Sequence, residues 1–172
     1  VYKSINGGKT WSKKLFANKD AGVVDLILDP NNPRVLYATT WNIRRTPYSL
    51  SSGGEGSALW KSTDEGETWT NISSRKGLPS GLWGISGVTV SPVNSDIVCA
   101  LIENEKGGAY KSTDAGKTWK LINSERKLRQ RAWYYTRLYA ATQDENILYV
   151  LNVRYHKSTD GGKHIRRLMH LT

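Results

Sequence analysis

Acidic or amide side chains stand at equivalent places in four similar segments of this chain of 172 residues. Asp64, Asp114 and Asp160 each follow Ser-Thr and precede a glycine by two residues, and Asn6 has the same place in the first segment. Hydrolysis of a glycosidic or acyl bond would need two convergent carboxylates, or a base beside a nucleophile. One acid per segment instead predicts a tight turn, in which each side chain accepts hydrogen bonds from backbone N–H groups.

We call these four segments the box turns. Their last glycine suits a position where the backbone takes a positive φ angle. A Thr-Trp pair follows in the first three copies, whereas His164 and Ile165 stand there in the fourth, so we expect the fourth hairpin to be the least anchored. The residues with a predicted structural role are Ser4, Asn6, Gly8, Trp11, Ser62, Asp64, Gly66, Trp69, Ser112, Asp114, Gly116, Trp119, Ser158, Asp160 and Gly162.

Arginines and aromatic residues between the box turns form a second set that could bind a ligand. A guanidinium fork can hold a carboxylate or another oxyanion, and an aromatic ring can stack on a planar group. The alternative is that the tryptophans fill gaps between neighbouring sheets while the arginines are solvated. The predicted binding residues are Trp41, Arg44, Arg45, Arg75, Arg131, Trp133 and Tyr134.

The spacing of the box serines, 46 to 58 residues, predicts the elements that position both sets. A period of about 40 to 50 residues is typical of propellers, whose repeats are four-stranded antiparallel meanders. Each box is then the turn between two outer strands. The stretches that supply two inner strands around a polar turn are "GVVDLILDPNNPRVLYATTW", "ISGVTVSPVNSDIVCALI" and "YTRLYAATQDENILYVLNV".

The predicted fold class is all-β, a β-propeller fragment of about three four-stranded blades plus two outer strands of a preceding blade. The runs Val23 to Leu28 and Val88 to Val90 alternate only weakly, so we expect both strands to be covered on both faces. A closed propeller has typically about 4 to 8 blades, so we expect the remaining blades of a parent propeller as partners. Within this single domain we place the outer strands at 1–15 and the blades at 22–72, 85–122 and 134–168.

The meander also predicts which loops share an end of the propeller. The box turns and the inner-strand turns lie at one end, and the longer, varied segments 41–58, 73–84 and 123–133 lie at the other. Varied loops on a repeated scaffold are the usual place for binding. We therefore expect the predicted binding residues at that second end.

The box pattern resembles the Asp-box, or bacterial neuraminidase repeat, of sialidases, xyloglucan-degrading glycosidases and sortilin-type receptor propellers. The match is strong at Ser62 to Trp69 and Ser112 to Trp119, fair at Ser4 to Trp11 and partial at Ser158 to Ile165. Between the boxes, the chain is similar to bacterial secreted proteins described as glycosyl-hydrolase-like or sortilin-like repeat proteins. The resemblance implies a β-propeller in a secreted or periplasmic protein.

Composition restricts the partners. A formal net charge of +10 favours an anionic glycan or an acidic peptide as the partner. The basic and aromatic run Arg126 to Arg137 could bind a nucleic acid strand, but its end overlaps a predicted inner strand, so nucleic acid is an unfavoured partner. No apolar run reaches the roughly 20 residues that span a bilayer. No cofactor is predicted, and the spacings of His156, His164 and His170 fit no metal motif. The lone Cys99 stands at an inner-strand position, which predicts a buried thiol.

The sequence favours a non-catalytic propeller scaffold that binds a glycan, a peptide or a protein. The alternative is part of a glycoside hydrolase, sialidase-like or xyloglucanase-like, whose mark would be paired carboxylates about 5 to 10 Å apart on the loops. A third possibility is an assembly module without a ligand. The catalytic residues of any hydrolase stay unknown here, since the acids near the loops form no evident pair: Asp20, Asp25, Glu55, Glu103 and Glu105.

Overall fold

The computed structural model describes residues 1–168, which form three antiparallel sheets and one two-stranded hairpin. In this part of the chain there is no α-helix, and the only helical segment is a 3₁₀ helix at Arg126–Arg129. The hairpin comes first and consists of strands β1, Tyr2–Lys3, and β2, Ser12–Lys13. The first box turn joins these two strands.

The first sheet contains five strands in the order β3-β4-β6-β7, with β5 paired to the far end of β4. Its long second strand extends beyond the sheet and forms a hairpin with β5, because Ile43 pairs with Ser52 and Arg45 pairs with Leu50. The bounds are β3 Ala21–Asp29, β4 Asn32–Arg45, β5 Leu50–Ser52, β6 Ala58–Ser62 and β7 Thr70–Asn71.

The second and third sheets are four-stranded meanders in which each strand pairs with the next along the chain. The second comprises β8 Ser86–Val90, β9 Val98–Ile102, β10 Gly108–Ser112 and β11 Lys120–Asn123. The third comprises β12 Arg137–Ala140, β13 Leu148–Leu151, β14 Tyr155–Ser158 and β15 Arg166–Arg167. Three successive meanders after an outer-strand hairpin confirm the predicted class, a fragment of a β-propeller.

The cores lie between neighbouring sheets. Tyr37 and Leu59 of the first sheet join a buried cluster with Val88 and Val98 of the second, and Cys99 belongs to another cluster with residues of the third sheet. Every residue of β8 and β9 is buried, since the second sheet is covered on both faces. Exposure alternates along β3 instead, because the described chain covers only one face of the first sheet. The expectation of two covered faces is confirmed for Val88 to Val90 and wrong for Val23 to Leu28.

The two ends of each sheet are built differently. At one end, a backbone N–H in the box turn donates to a carbonyl in the inner-strand turn of the same sheet, as from Ala115 to Asp96 at 2.9 Å and from Gly161 to Asn146 at 2.8 Å. We call this the box end. The opposite end, which we call the loop end, carries segments 46–57, 72–85, 103–107, 124–136 and 152–154.

Candidate functional site

Glu103, which directly follows β9, is the centre of a hydrogen-bond network at the loop end. Its Oε2 accepts from Ser52 Oγ at 2.7 Å and from the Ile85 N–H at 2.9 Å, and its Oε1 accepts from Trp133 Nε1 at 3.2 Å. A Cβ at Gly84 would collide with this carboxylate, so the chain beside it needs a glycine. Three donors from three separate segments therefore converge on one carboxylate.

The network extends to the first sheet through Trp41. Its Nε1 donates to Ser52 Oγ at 2.9 Å, which fixes the hairpin of β4 and β5 against Glu103. The Trp41 ring is 8% exposed and packs with Ile85 and Ala132, with Trp133 at the edge of that cluster. Trp41 therefore acts as a packing residue that holds the loops together, rather than as an open ring surface.

A cleft of about 290 Å³ opens beside this network, between Glu103 and the loop that precedes β12. Arg129 closes one side, where its guanidinium donates to the Asn104 and Ser124 carbonyl oxygens at 3.1 and 3.2 Å. Tyr134 is 59% exposed at the cleft, and its ring centre lies 6.1 Å from that of Tyr135. The remaining lining residues are Gln130, Arg131, Ala132 and Trp133. The cleft thus combines guanidinium and amide donors with an accessible aromatic ring.

The structure brings four of the seven predicted binding residues together, namely Trp41, Arg131, Trp133 and Tyr134. Arg44 and Arg45 lie at the same end, exposed on the part of β4 that pairs with β5. Arg75 lies elsewhere, in a cleft lined by Thr63 and Thr68 of the second box turn and Lys117 of the third. Next to Arg75, the Lys76 carbonyl accepts from the Trp119 N–H at 2.8 Å, so this part of segment 72–85 turns away from the loop end toward the third box turn. The length of the segment did not predict that path.

Sequence reasoning omitted Ser52, Gln130 and Tyr135 and counted Glu103 only among the unpaired acids. One signal was available for Glu103, because the gapless superposition of the repeats puts it at the place of Trp41. The third repeat has Val153 there, so a carboxylate at a position otherwise occupied by apolar side chains indicates a local polar partner. No pattern in the sequence indicates Ser52, since its role depends on how the β4–β5 hairpin folds over.

The box turns share one set of hydrogen bonds. Ser112 Oγ donates to Asp114 Oδ1 at 2.7 Å and accepts from the Gly116 N–H at 2.8 Å. The same carboxylate accepts from the Thr118 N–H and hydroxyl at 2.8 and 2.6 Å. Equivalent bonds in the second box, those from the Thr68 hydroxyl first, lower the pKa of Asp64 to about 2. Their use inside the turns leaves these carboxylates as structural acceptors.

The fourth box turn keeps this arrangement with different side chains. The Asp160 carboxylate accepts from the His164 N–H at 3.0 Å and lies 2.6 Å from His164 Nδ1, and these contacts hold its pKa well below the usual value. Ile165, which replaces tryptophan, is only 1% exposed, whereas Trp11 of the first box is 62% exposed. The structure therefore leaves the first hairpin least covered, whereas we expected the fourth hairpin to be the least anchored. His170 lies outside the described residues.

Other groups that could carry chemistry are enclosed or dispersed. Burial raises the pKa of the Cys99 thiol to about 12, so the thiol stays protonated. Within residues 1–168, no group of three or more His, Cys, Asp or Glu side chains could hold a metal ion. The same residues contain no helix that is both long enough and apolar enough to cross a membrane.

Comparison with known proteins identifies one matching family and several similar structures. The family model described as sortilin, neurotensin receptor 3 (Sortilin-Vps10) matches residues 1–171. The chain is 31% identical over 81 residues to the xyloglucanase Xgh74A of Acetivibrio thermocellus, an alignment that covers 43% of this chain and 8% of that protein. The chain thus spans a small part of that curated relative.

Two solved structures extend the similarity to most of the chain. The GH74 xyloglucanase from Xanthomonas campestris superposes with a TM-score of 0.66 at 18% identity, over 94% of this chain and 24% of its own. YCF48 from Cyanidioschyzon merolae gives a TM-score of 0.58 at 17% identity, over 87% of this chain and 38% of its own. At these identities the superpositions show the fold, a β-propeller related to those of GH74 enzymes and sortilin-like repeat proteins.

Proposed function

The chain belongs to the sortilin-Vps10 family, and from this premise we propose that it is a non-catalytic part of a propeller that binds a glycan with acidic groups. The observation that carries the proposal is the cleft beside Glu103, where Arg131 and the exposed Tyr134 stand on a rigid hydrogen-bonded base. Rings and guanidinium groups held in place bind with little loss of conformational entropy. The net charge of +10 favours an acidic ligand.

The bonding of Glu103 supports a non-catalytic role. A general acid or base needs a free oxygen directed at the substrate, but both Glu103 oxygens accept hydrogen bonds from the protein. Asp25 is engaged as well, because its Oδ2 accepts from the Val88 N–H at 3.1 Å. Asp20, Glu55 and Glu105 are exposed.

A second candidate, part of a glycoside hydrolase, is favoured by the similarity to the xyloglucanase of Acetivibrio thermocellus. In that case the catalytic carboxylates would be drawn from other blades as well as this chain. We also propose that a bacterium secretes the protein, which fits both candidates. The proposed partners are the remaining blades of a closed propeller. The two candidates differ in one measurable property, which is turnover.

The test measures binding of the full chain to a sulfated glycan, a polyuronate and neutral xyloglucan by affinity electrophoresis. We expect Tyr134→Ala and Arg131→Ala each to weaken binding of the acidic glycans by about tenfold, the equivalent of ~1.4 kcal/mol. Tyr2→Ala is the matched control, because Tyr2 is also 59% exposed but lies on β1. Arg34→Ala, at the exposed box end, controls for loss of one positive charge.

Three results would overturn the proposal. The first is binding that survives both loop-end substitutions, and the second is binding to an acidic peptide but to no glycan. The third is release of reducing ends from xyloglucan that is lost in Glu103→Gln, which would establish the hydrolase candidate. Thermal unfolding of each variant separates loss of binding from loss of folding.

A further inference from the structure

Lysines just before the box serines reach across the grooves between neighbouring outer strands, which we call seams. The first seam separates the β1–β2 hairpin from the first sheet, and the second separates the first and second sheets. Lys3 Nζ donates to the Glu65 carbonyl at 2.9 Å across the first seam. Lys61 Nζ donates to the Ala115 carbonyl at 2.7 Å across the second. The two seams are therefore built alike.

The first seam offsets part of its positive charge with a carboxylate. Glu67 of the second box turn accepts from Lys3 Nζ at 2.8 Å and from Lys14 Nζ at 2.5 Å. These two ammonium groups, Lys14 first, lower the pKa of Glu67. Two cations and one carboxylate thus share this seam, so an incoming anion would meet a repelling charge.

The second seam is more positive, because Lys117 stands where Glu67 stands in the preceding box. Lys61, Arg75 and Lys117 line a cleft of about 180 Å³ between the two sheets, together with the side chains of Thr63, Thr68, Thr70 and Ile72. Within the part of the chain that the structure describes, none of the three cations forms a salt bridge with a carboxylate. Three positive charges therefore face one small space.

Electrostatics at Lys61 agree with this geometry. Burial lowers its pKa first, and the charges of Arg75 and Lys117 lower it further. The charges of Asp29 and Asp114 act on this pKa in the opposite direction. Their oxygens already accept hydrogen bonds, Asp29 Oδ1 from the Asn31 N–H and the Ser95 hydroxyl, and Asp114 within its own box turn. Packing of Lys61 Nζ at 5.2 Å from the centre of the Tyr37 ring holds the ammonium in place.

We propose that the second seam is a binding site for a sulfate or phosphate oxyanion, formed by Lys61, Arg75 and Lys117. A guanidinium fork and two ammonium groups supply charge-assisted hydrogen bonds to such a group, and the hydroxyls of Thr63 and Thr70 at the cleft can donate further ones. The small cleft accommodates one oxyanion, either as a free ion or as an ester on a larger molecule. This site is separate from the cleft at the loop end.

The third seam, between the second and third sheets, is a weaker version of this arrangement. Lys111 and Lys163 repeat the places of Lys61 and Lys117, and Lys120 joins them in a cleft of about 480 Å³. Asp160 also lines that cleft, and Glu125 has the place of Arg75 in the superposed repeats. The wider space and the nearby carboxylates make the second seam the stronger site.

The experiment titrates sodium sulfate into the full chain at constant low ionic strength and follows backbone amide shifts by NMR. We expect saturable shifts around Lys61, Arg75 and Lys117. Lys117→Glu restores the charge balance of the first seam and should weaken sulfate binding by about tenfold or more. Lys9→Glu is the matched control, because Lys9 has the equivalent place in the first box turn and makes the same change in net charge.

Further arms make the result decisive. Arg75→Gln should also weaken binding, and Tyr2→Ala, on β1, should leave it unchanged. Titrations with phosphate and with a sulfated disaccharide distinguish the source: tighter binding of the disaccharide supports an ester group, and equal affinity supports a free ion. The site would be overturned if Lys9→Glu weakened sulfate binding as much as Lys117→Glu, or if the shifts never saturated. Binding of a peptide carboxylate but not of sulfate would also overturn it. Thermal unfolding in sulfate-free buffer verifies the fold of each variant.

Discussion

The box turns and the network around Glu103 at the loop end are closed by hydrogen bonds of very different range. Each box turn closes within a few residues, since Asp64 bonds Ser62 and Thr68, at separations of two and four. At the loop end, Ser52 and Glu103 are 51 residues apart, and Glu103 and Trp133 are 30 apart. Local bonds can repeat from one blade to the next, whereas long-range bonds fix one particular set of loops.

This difference separates stability from specificity. The box end can be copied because each turn contains its own donors and acceptors. Trp119 and Ile165, which follow the third and fourth boxes, are also buried between neighbouring sheets, whereas Trp11 is exposed. The loop end forms only when three segments meet at Glu103. We therefore expect substitutions at the box end to act mainly on folding and those on the exposed loop end to act mainly on binding.

The largest expected effect is that of Trp119→Ala. The ring is 6% exposed, belongs to the core between the first and second sheets, and its N–H donates to the Gly116 carbonyl at 3.2 Å. We expect the free energy of unfolding to fall by about 3–5 kcal/mol, as for other buried aromatic side chains. Trp11→Ala removes the same side chain where it is 62% exposed and should cost much less. Equal losses in urea denaturation would contradict the assignment of Trp119 to the core between the first and second sheets.

The next effect tests whether the loop end also contributes to stability. Glu103→Gln leaves an NH₂ group facing at least one of the donors from Ser52, Ile85 and Trp133, so we expect a loss of about 1–2 kcal/mol. The indole N–H signal of Trp133 in NMR should shift, while that of Trp119 should stay. An unchanged Trp133 signal would mean that the network does not form in solution.

The smallest effect concerns the charge of a box acid. Asp114→Asn should lower stability only slightly at neutral pH, because Asn6 fills this role in the first box, where it accepts from the Thr10 N–H and donates to the Thr10 hydroxyl, so only the extra strength that the charge gives these bonds is lost. Hydrogen bonds, that from the Thr118 hydroxyl first, hold the pKa of Asp114 well below its usual 3.8. The stabilisation by its charge is thus present above pH 3.8 and is lost as pH falls through the lower pKa of the folded state.

Acid unfolding measures this contribution. Below pH 3.8, stability of the parent chain should fall more steeply than that of Asp114→Asn, and Asp114→Ala should be less stable at every pH because it removes the acceptor itself. A parent and an Asn variant with the same acid profile would show that the charge contributes nothing. Lys9→Gln is the control, because it changes the charge of a box turn without removing a hydrogen-bond acceptor of that turn.

The sequence was sufficient for the box end because the relevant physics is local. Ser112, Asp114 and Gly116 lie within one turn, so their spacing alone predicts which groups bond. The meanders followed from the same repetition. Ile165 shows the limit of this reasoning, because its burial depends on the neighbouring sheet rather than on the size of its own side chain.

The loop end could be located from the sequence but not assembled. Trp41 and Trp133 were predicted at that end, yet neither indicates that Ser52 and Glu103 connect them. Arg75 was predicted at the loop end, but the path of its segment carries it to the second seam. Contacts between segments tens of residues apart leave no periodic trace, so only the folded chain reveals them.

Cys99 gives the molecule a built-in reporter of its own opening. Its thiol is buried between the second and third sheets, in the cluster that contains Leu138 and Ile165. Because a thiol reagent reacts with the exposed thiolate, modification of Cys99 requires these two sheets to move apart. Because Cys99 is the single cysteine of the chain, its labelling rate measures how often the second and third sheets separate. An added ligand that joins neighbouring blades would slow that rate, and one that wedges between them would accelerate it.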